Sequence, residues 1–166
     1  MKESDGPKGI KPETWGPTVW ALVHAFAELA DRHDGAGEAR AFFLALGPTL
    51  PCRKCREAYG RHTKAIQLGT SVVEYARSLH AAVNVDLGKK MYGREDSTDL
   101  AMFVRKVPSP ALARVLARAM RRSVEYFDAC IREREFFDDA ETRDALVARL
   151  AMSDAVGAIR RRVGVN

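Results

Sequence analysis

Two cysteines separated by two basic residues, Cys52-Arg53-Lys54-Cys55, are the side chains of this chain best suited to chemistry. A Cys-x-x-Cys pair at the start of a helix brings two sulfurs within bridging reach. The positive end of the helix, together with Arg53, Lys54 and Arg56, then favours thiolate. Such a pair can cycle between dithiol and disulfide. The same motif is half of a zinc site, which requires two more ligands. His24, His33, His62, His80 and the distant Cys130 are available, and none has the spacing of a second ligand pair. No metal is expected on that ground, although a non-enzymatic helical binding module with a Cys-x-x-Cys zinc site stays open as the alternative. A thioredoxin-like module would place the motif beside a βαβ pattern, and a c-type haem would require His where Arg56 follows Cys55.

A second group of residues could hold a planar ligand. Trp20 and His24 stand four residues apart, as do His80 and Asn84, so each pair shares one face of a helix. Beside the second pair run Leu79 and Val83, an apolar ridge. Rings and an amide lining an apolar slot suit a flat heteroaromatic cofactor. Taken singly, Trp20 reads as core and the histidines as satisfied buried or surface residues; the combination carries the argument.

These residues need helices to position them, and the apolar spacing supplies helices throughout. Val19, Trp20, Val23, Ala27 and Ala30 recur at three- and four-residue steps, which predicts a helix over residues 15–31 with Pro17 in its first turn. A short apolar helix over 39–46 ends at Gly47-Pro48, and the next helix runs from Arg53 to about Lys64. Ser71 and Glu74 form a capping-box signature ahead of a long stripe, Val72, Tyr75, Ala76, Leu79, Val83 and Leu87. A short helix over about 98–106 ends at Val107-Pro108-Ser109-Pro110, a candidate domain boundary. Helices over 111–137, 140–151 and 153–163 follow. No alternating strand pattern and no internal repeat is found, so the fold class expected is all-α.

Composition narrows the function classes. A chain of 166 residues that is 46% apolar can bury a core of its own. The net charge of +5 is spread among acidic residues, which does not favour a nucleic-acid partner. Residues 1–13 are polar and Gly/Pro-bearing and lack the apolar core of a secretory signal, and no stretch is apolar enough to cross a bilayer. Cys130, within Tyr126-Phe127-Asp128-Ala129-Cys130-Ile131, reads first as a buried core cysteine and second as a shuttle thiol or intermolecular link. Tyr126, Phe127, Phe136 and Phe137 read as core of the C-terminal helices.

Three segments together resemble the Erv/ALR family of FAD-linked sulfhydryl oxidases: Trp15-Gly16-Pro17-Thr18-Val19-Trp20-Ala21-Leu22-Val23-His24, then Leu50-Pro51-Cys52-Arg53-Lys54-Cys55, then Leu79-His80-Ala81-Ala82-Val83-Asn84-Val85-Asp86-Leu87-Gly88-Lys89. Their order and separations are similar to the family pattern over residues 15–92. The resemblance implies a four-helix bundle with a short fifth helix, holding FAD and often forming a homodimer. It implies a flexible N-terminus over residues 1–13, an FAD-binding domain over 14–107 and a helical C-terminal extension over 108–166, an addition similar to that of some viral members. Gly16, Trp20, His24, Tyr75, His80, Val83, Asn84, Leu87 and Lys89 fall on cofactor-contacting positions, Tyr75 where the family often has Trp. Cys55 is implied as the flavin-proximal sulfur and Cys52 as the outer one, open to exchange with thiol-bearing protein substrates, with dioxygen taking the electrons and yielding hydrogen peroxide. By the same resemblance the chain acts in the cytoplasm or at a viral assembly site. The sequence departs from the pattern at Ala81, where the family has Asn, and at Pro17, where many members have a basic residue. The extra cysteine pair that clamps the fifth helix in many members is absent.

Overall fold

Residues 10–88, 100–132 and 137–165 are described in the computed structural model, and among them every regular element is helical. The helices are α1 (Pro12–Arg32), α2 (Ala36–Leu46), α3 (Arg53–Ala65), α4 (Val72–Asp86), α5 (Leu100–Arg105), α6 (Ser109–Arg132) and α7 (Asp139–Val163), with a 3-10 turn at Gly47–Thr49. The all-α class expected from the helical periods is therefore observed. Among the described residues no helix is long and apolar enough to cross a membrane.

α1 runs through the middle and packs against α2, α4, α5, α6 and α7. Its Leu22, Val23, Phe26 and Leu29 have no exposed surface. Phe26 stacks on Phe42 of α2 at 4.0 Å between ring centroids, and Phe43 meets both rings edge-on. Each buried phenylalanine stabilises the fold by about 1.5–3 kcal/mol, so this triad fixes α2 across α1. Leu112, Leu116, Met152 and Ile159 from α6 and α7 belong to the same core, which is thus continuous across residues 107–110. A smaller cluster holds Phe127, Cys130, Phe137 and Ala145. Cys130 is fully buried there, and Phe127 meets Phe137 edge-on; Phe136 lies outside the described residues.

Three element boundaries differ from the expected ones. α1 begins at Pro12, inside the stretch expected to be flexible, because proline at the first helical position costs no hydrogen bond. Pro17 consequently sits inside the helix and not in its first turn. Without an N–H at Pro17, the Glu13 carbonyl loses its i+4 donor. The two helices expected over 140–151 and 153–163 are one, α7, since Met152, Ala155, Val156 and Ile159 carry a single buried stripe across Ser153. It stops at Gly164, whose φ of +82° is left-handed and favours glycine. α6 is described to Arg132, residues 133–136 lie outside the described residues, and Phe137, the expected last residue of this helix, is not helical. Phe137 instead precedes Asp138, which caps α7 through a reciprocal bond pair with Glu141.

Side-chain caps set the relative placement of the helices that carry the candidate site. The Asp31 carboxylate, from the last turn of α1, accepts the N–H groups of Val72 and Val73 at 2.7 and 3.0 Å and the Ser71 hydroxyl at 2.8 Å. Ser71 in turn accepts the Glu74 N–H at 3.2 Å. The start of α4 is therefore capped by α1 as well as by its own serine. Arg32 donates to the carbonyls of Val104, Arg105 and Val107 and ties the end of α5 to α1. Arg162 does the same for the α1–α2 turn, donating to the carbonyls of His33 and Asp34 and pairing with Glu38.

Candidate functional site

Cys52 and Cys55 are joined as a disulfide, with Cα atoms 5.1 Å apart. Cys52 is the N-cap of α3, and its sulfur accepts the Cys55 N–H at 3.3 Å. The positive end of α3 and this N–H both favour a thiolate when the pair is reduced.

One side of α3 forms a cavity of about 890 Å³ with α1 and α4. Cys55 lines it, together with Gly16 and Trp20 of α1 and with His80, Val83, Asn84 and Leu87 of the α4 region. Seven of the expected site residues are thus brought to one place. Helical geometry explains the selection on α4. At 100° per residue, Val83, Asn84 and Leu87 return to within about 60° of His80, whereas Tyr75 stands about 140° away. Tyr75 accordingly turns elsewhere: it is buried edge-on against Phe43 and lines a separate cavity of about 900 Å³ between α2, α3 and α7. Tyr75, expected among the cofactor contacts, is therefore not among the residues lining the cavity of Cys55. Burial raises its phenol pKa above the ordinary value.

His24 does not reach the cavity either. It is buried directly behind His80, with Nε2 2.8 Å from His80 Nδ1. One ring nitrogen must donate and the other accept, so the contact selects a tautomer pair and holds the His80 ring plane. On its other side His80 stacks on Trp20, centroids 3.7 Å apart and planes 9° from parallel. Of the rings expected to line a slot, Trp20 and His80 form a stacked pair at the cavity and His24 backs His80. Gly16 lines the cavity too: it is buried, and a Cβ added there would meet no atom of another element within 4 Å. Lys89 lies outside the described residues.

Cys52, expected as the outer sulfur, does not line the cavity and is 2% exposed. The preceding carbonyl, of Pro51, accepts the Ile10 N–H at 2.9 Å and the Cys130 thiol at 3.7 Å. The following residue, Arg53, is paired with Glu141 of α7. Residues distant in the chain thus hold both neighbours of this cysteine.

Residues not expected to contact a cofactor also face the cavity. Lys54 and Arg61 bring positive charge to it, and Ala58 and Tyr59 follow Cys55 by three and four residues on the same helix face. That spacing was the available signal. The Tyr59 hydroxyl donates to the Phe43 carbonyl at 2.6 Å, and burial, followed by the nearby Tyr75, raises its pKa well above the ordinary value. His62 of α3 and Asp86 of α4 close one edge, 2.7 Å apart. Among the described residues no group of three or more His, Cys, Asp or Glu is arranged to hold a metal ion.

Neither a protein-family model, nor a curated protein, nor a solved structure matches this chain.

Proposed function

We propose that this chain is an FAD-linked sulfhydryl oxidase of the Erv/ALR kind, in which α1–α4 and the short α5 make the cofactor-binding bundle and α6 and α7 are the addition. The observation that carries the reading is that one sulfur of a redox-capable pair, Cys55, shares a cavity with a planar ring wall, an amide and two cations. The cavity volume falls within the roughly 300–1,000 Å³ of small-molecule and cofactor sites. Its walls are mostly apolar, as a flat ring system requires, and Lys54 and Arg61 complement the charge of a pyrophosphate. On these grounds the residues present fit the cofactor.

Bound there, a flavin would supply the two-electron acceptor for the thiols and pass those electrons to dioxygen, giving hydrogen peroxide. The chain's own residues have definable parts. The α3 N-terminus and Lys54 favour the Cys55 thiolate, which is the reactive form. Cys52 keeps its sulfur within bonding reach of Cys55, so the disulfide can close again. Trp20 and His80 present a flat surface that excludes water, and His24 fixes the orientation of His80. Asn84 is buried and offers both a donor and an acceptor at the cavity wall. Thiol-bearing proteins are the substrates in this reading. Homodimerisation and action in the cytoplasm or at a viral assembly site belong to the same proposal.

Purified protein should be yellow, absorb near ~450 nm as flavoproteins do, and consume oxygen with a dithiol. Cys55→Ser should abolish oxygen uptake while leaving the helical circular dichroism unchanged. Protein that stays colourless after incubation with excess FAD would sink the proposal, and undiminished oxygen uptake by Cys55→Ser would remove Cys55 from it.

A further inference from the structure

The start of α3 is tied to α7 by charge. Arg53 and Arg56, which flank the motif, converge on one carboxylate, Glu141, at 3.2 and 3.6 Å. Arg56 is anchored independently: it donates to the Leu50 carbonyl at 2.9 Å, and its guanidinium lies 4.1 Å from the Phe137 ring centroid. Burial lowers its pKa, and the neighbouring Glu141 opposes that. Arg53 is less committed. Its side chain is 38% exposed, one terminal nitrogen meets Glu141, and its buried Nε has no hydrogen-bond partner among the described residues. Glu141 thus meets Arg53 at one terminal nitrogen and leaves the bidentate pairing of a guanidinium with a carboxylate unformed.

We propose that Arg53 and Arg56 form the receiving site for an acidic residue beside the reactive cysteine of a protein substrate, and that Glu141 occupies this site until such a substrate displaces it. The proposal rests on the reading of Cys52–Cys55 as an exchanging pair. It does not depend on which cofactor re-oxidises the pair. Glu141 can yield its arginine contacts, because partly exposed ion pairs contribute little and are screened by salt, while its carboxylate goes on accepting the Asp138 N–H that caps α7. Its release frees the first turn of α7 from α3, beside the sulfur that the fold otherwise buries. The substrate thiolate then attacks the Cys52 sulfur. A substrate–Cys52 bond forms, the Cys52–Cys55 bond breaks, and its electron pair leaves on Cys55, at the cavity. A second substrate thiolate attacks the substrate sulfur of this mixed disulfide, closing the substrate disulfide and releasing Cys52 as thiolate. The substrate is oxidised by two electrons and the pair is reduced by two.

The test is anaerobic reduction of the full-length disulfide protein by two synthetic dithiol peptides, one with Asp and Glu beside its cysteines and one with Asn and Gln. Cys52 and Cys55 thiols are trapped by alkylation and counted by mass spectrometry. The acidic peptide should react about tenfold faster at low salt, and the preference should collapse at high salt. Arg53→Gln should erase the preference, and Glu141→Gln should speed both peptides, with thermal melting confirming that each variant is folded. Equal rates for the two peptides at low salt overturn the proposal. Absence of exchange with either peptide overturns it together with the exchange reading, whereas a colourless protein that still prefers the acidic peptide would count against the flavin alone.

Discussion

Gly16 offers a perturbation that separates stability from ligand binding. It lies in α1, is buried, lines the cavity beside Trp20, and a Cβ there would meet no side chain or backbone of another element within 4 Å. Replacing a helical glycine with alanine removes up to about 1 kcal/mol of helix-propensity cost, and at this position the crowding of a β-carbon against the ring of the following Pro17 offsets part of the gain. Gly16→Ala should therefore shift the melting temperature by less than the roughly 2–4 °C that 1 kcal/mol gives in a chain of this size, and leave FAD binding unchanged. Gly16→Leu gains most of the same propensity, since Leu ranks close to Ala in helices. Its side chain, however, must project into the cavity, where it removes room for a ring lying on the Trp20–His80 wall. A loss of at least about 1.4 kcal/mol, a tenfold rise in the dissociation constant, is expected for FAD. Thermal melting of the apoprotein and fluorescence titration with FAD measure the two quantities separately. A Gly16→Leu protein that melts no lower than the parent and binds FAD as tightly would refute the placement of the cofactor in this cavity. A Gly16→Ala protein that binds FAD as weakly as Gly16→Leu would refute the open space itself.

Asp31→Ala should cost about 1–2 kcal/mol in urea denaturation, because it strips α4 of the carboxylate that caps Val72 and Val73, and Asp31→Asn should cost less by keeping an acceptor. Since that cap also sets α4 against α1, the Asp31→Ala protein should bind FAD more weakly even where it remains folded. Arg32→Ala removes charge-assisted bonds to three carbonyls at the end of α5 and should cost about 2–3 kcal/mol, with hydrogen exchange accelerating in α5 ahead of the rest; uniform acceleration would contradict the local role. The Glu38 carboxyl is held below its ordinary value of 4.5, chiefly by its backbone N–H and, against the opposing effect of burial, by Arg162. A carboxyl depressed in the folded state stabilises above its unfolded pKa and loses that contribution as pH falls through the folded value. Urea midpoints should therefore drop below about pH 4.5, and less steeply in Glu38→Gln; identical pH profiles would exclude the pair.

Helices were legible in the sequence because their cause is local. Apolar residues at three- and four-residue steps, Ser71 before α4 and Gly164 after α7 act within a few turns. The same locality made the face relation on α4 readable: His80 and Asn84, with Val83 beside them, line the cavity, whereas of the α1 pair Trp20 lines it and His24 lies behind His80. The local signal misled where a longer stripe overrode it. Ser153 carries no breaker strong enough to interrupt the buried run that makes α7 one helix. Tyr75 has the right residue type for a ring contact but the wrong angle on α4, and the resemblance assigned it to a site it does not face.

Tertiary structure alone decided what lies next to what across helices. That His24 stands behind His80, and that His80 is already stacked on Trp20, follows from how α1 and α4 cross. The neighbours of Cys52 are held by Ile10, Cys130 and Glu141, which are dispersed along the chain and share no local pattern with the motif. Spacing along a chain specifies which side chains share a face of one helix. Which faces then meet is set by the packing of the whole core, and the exposure of a sulfur is a property of that packing.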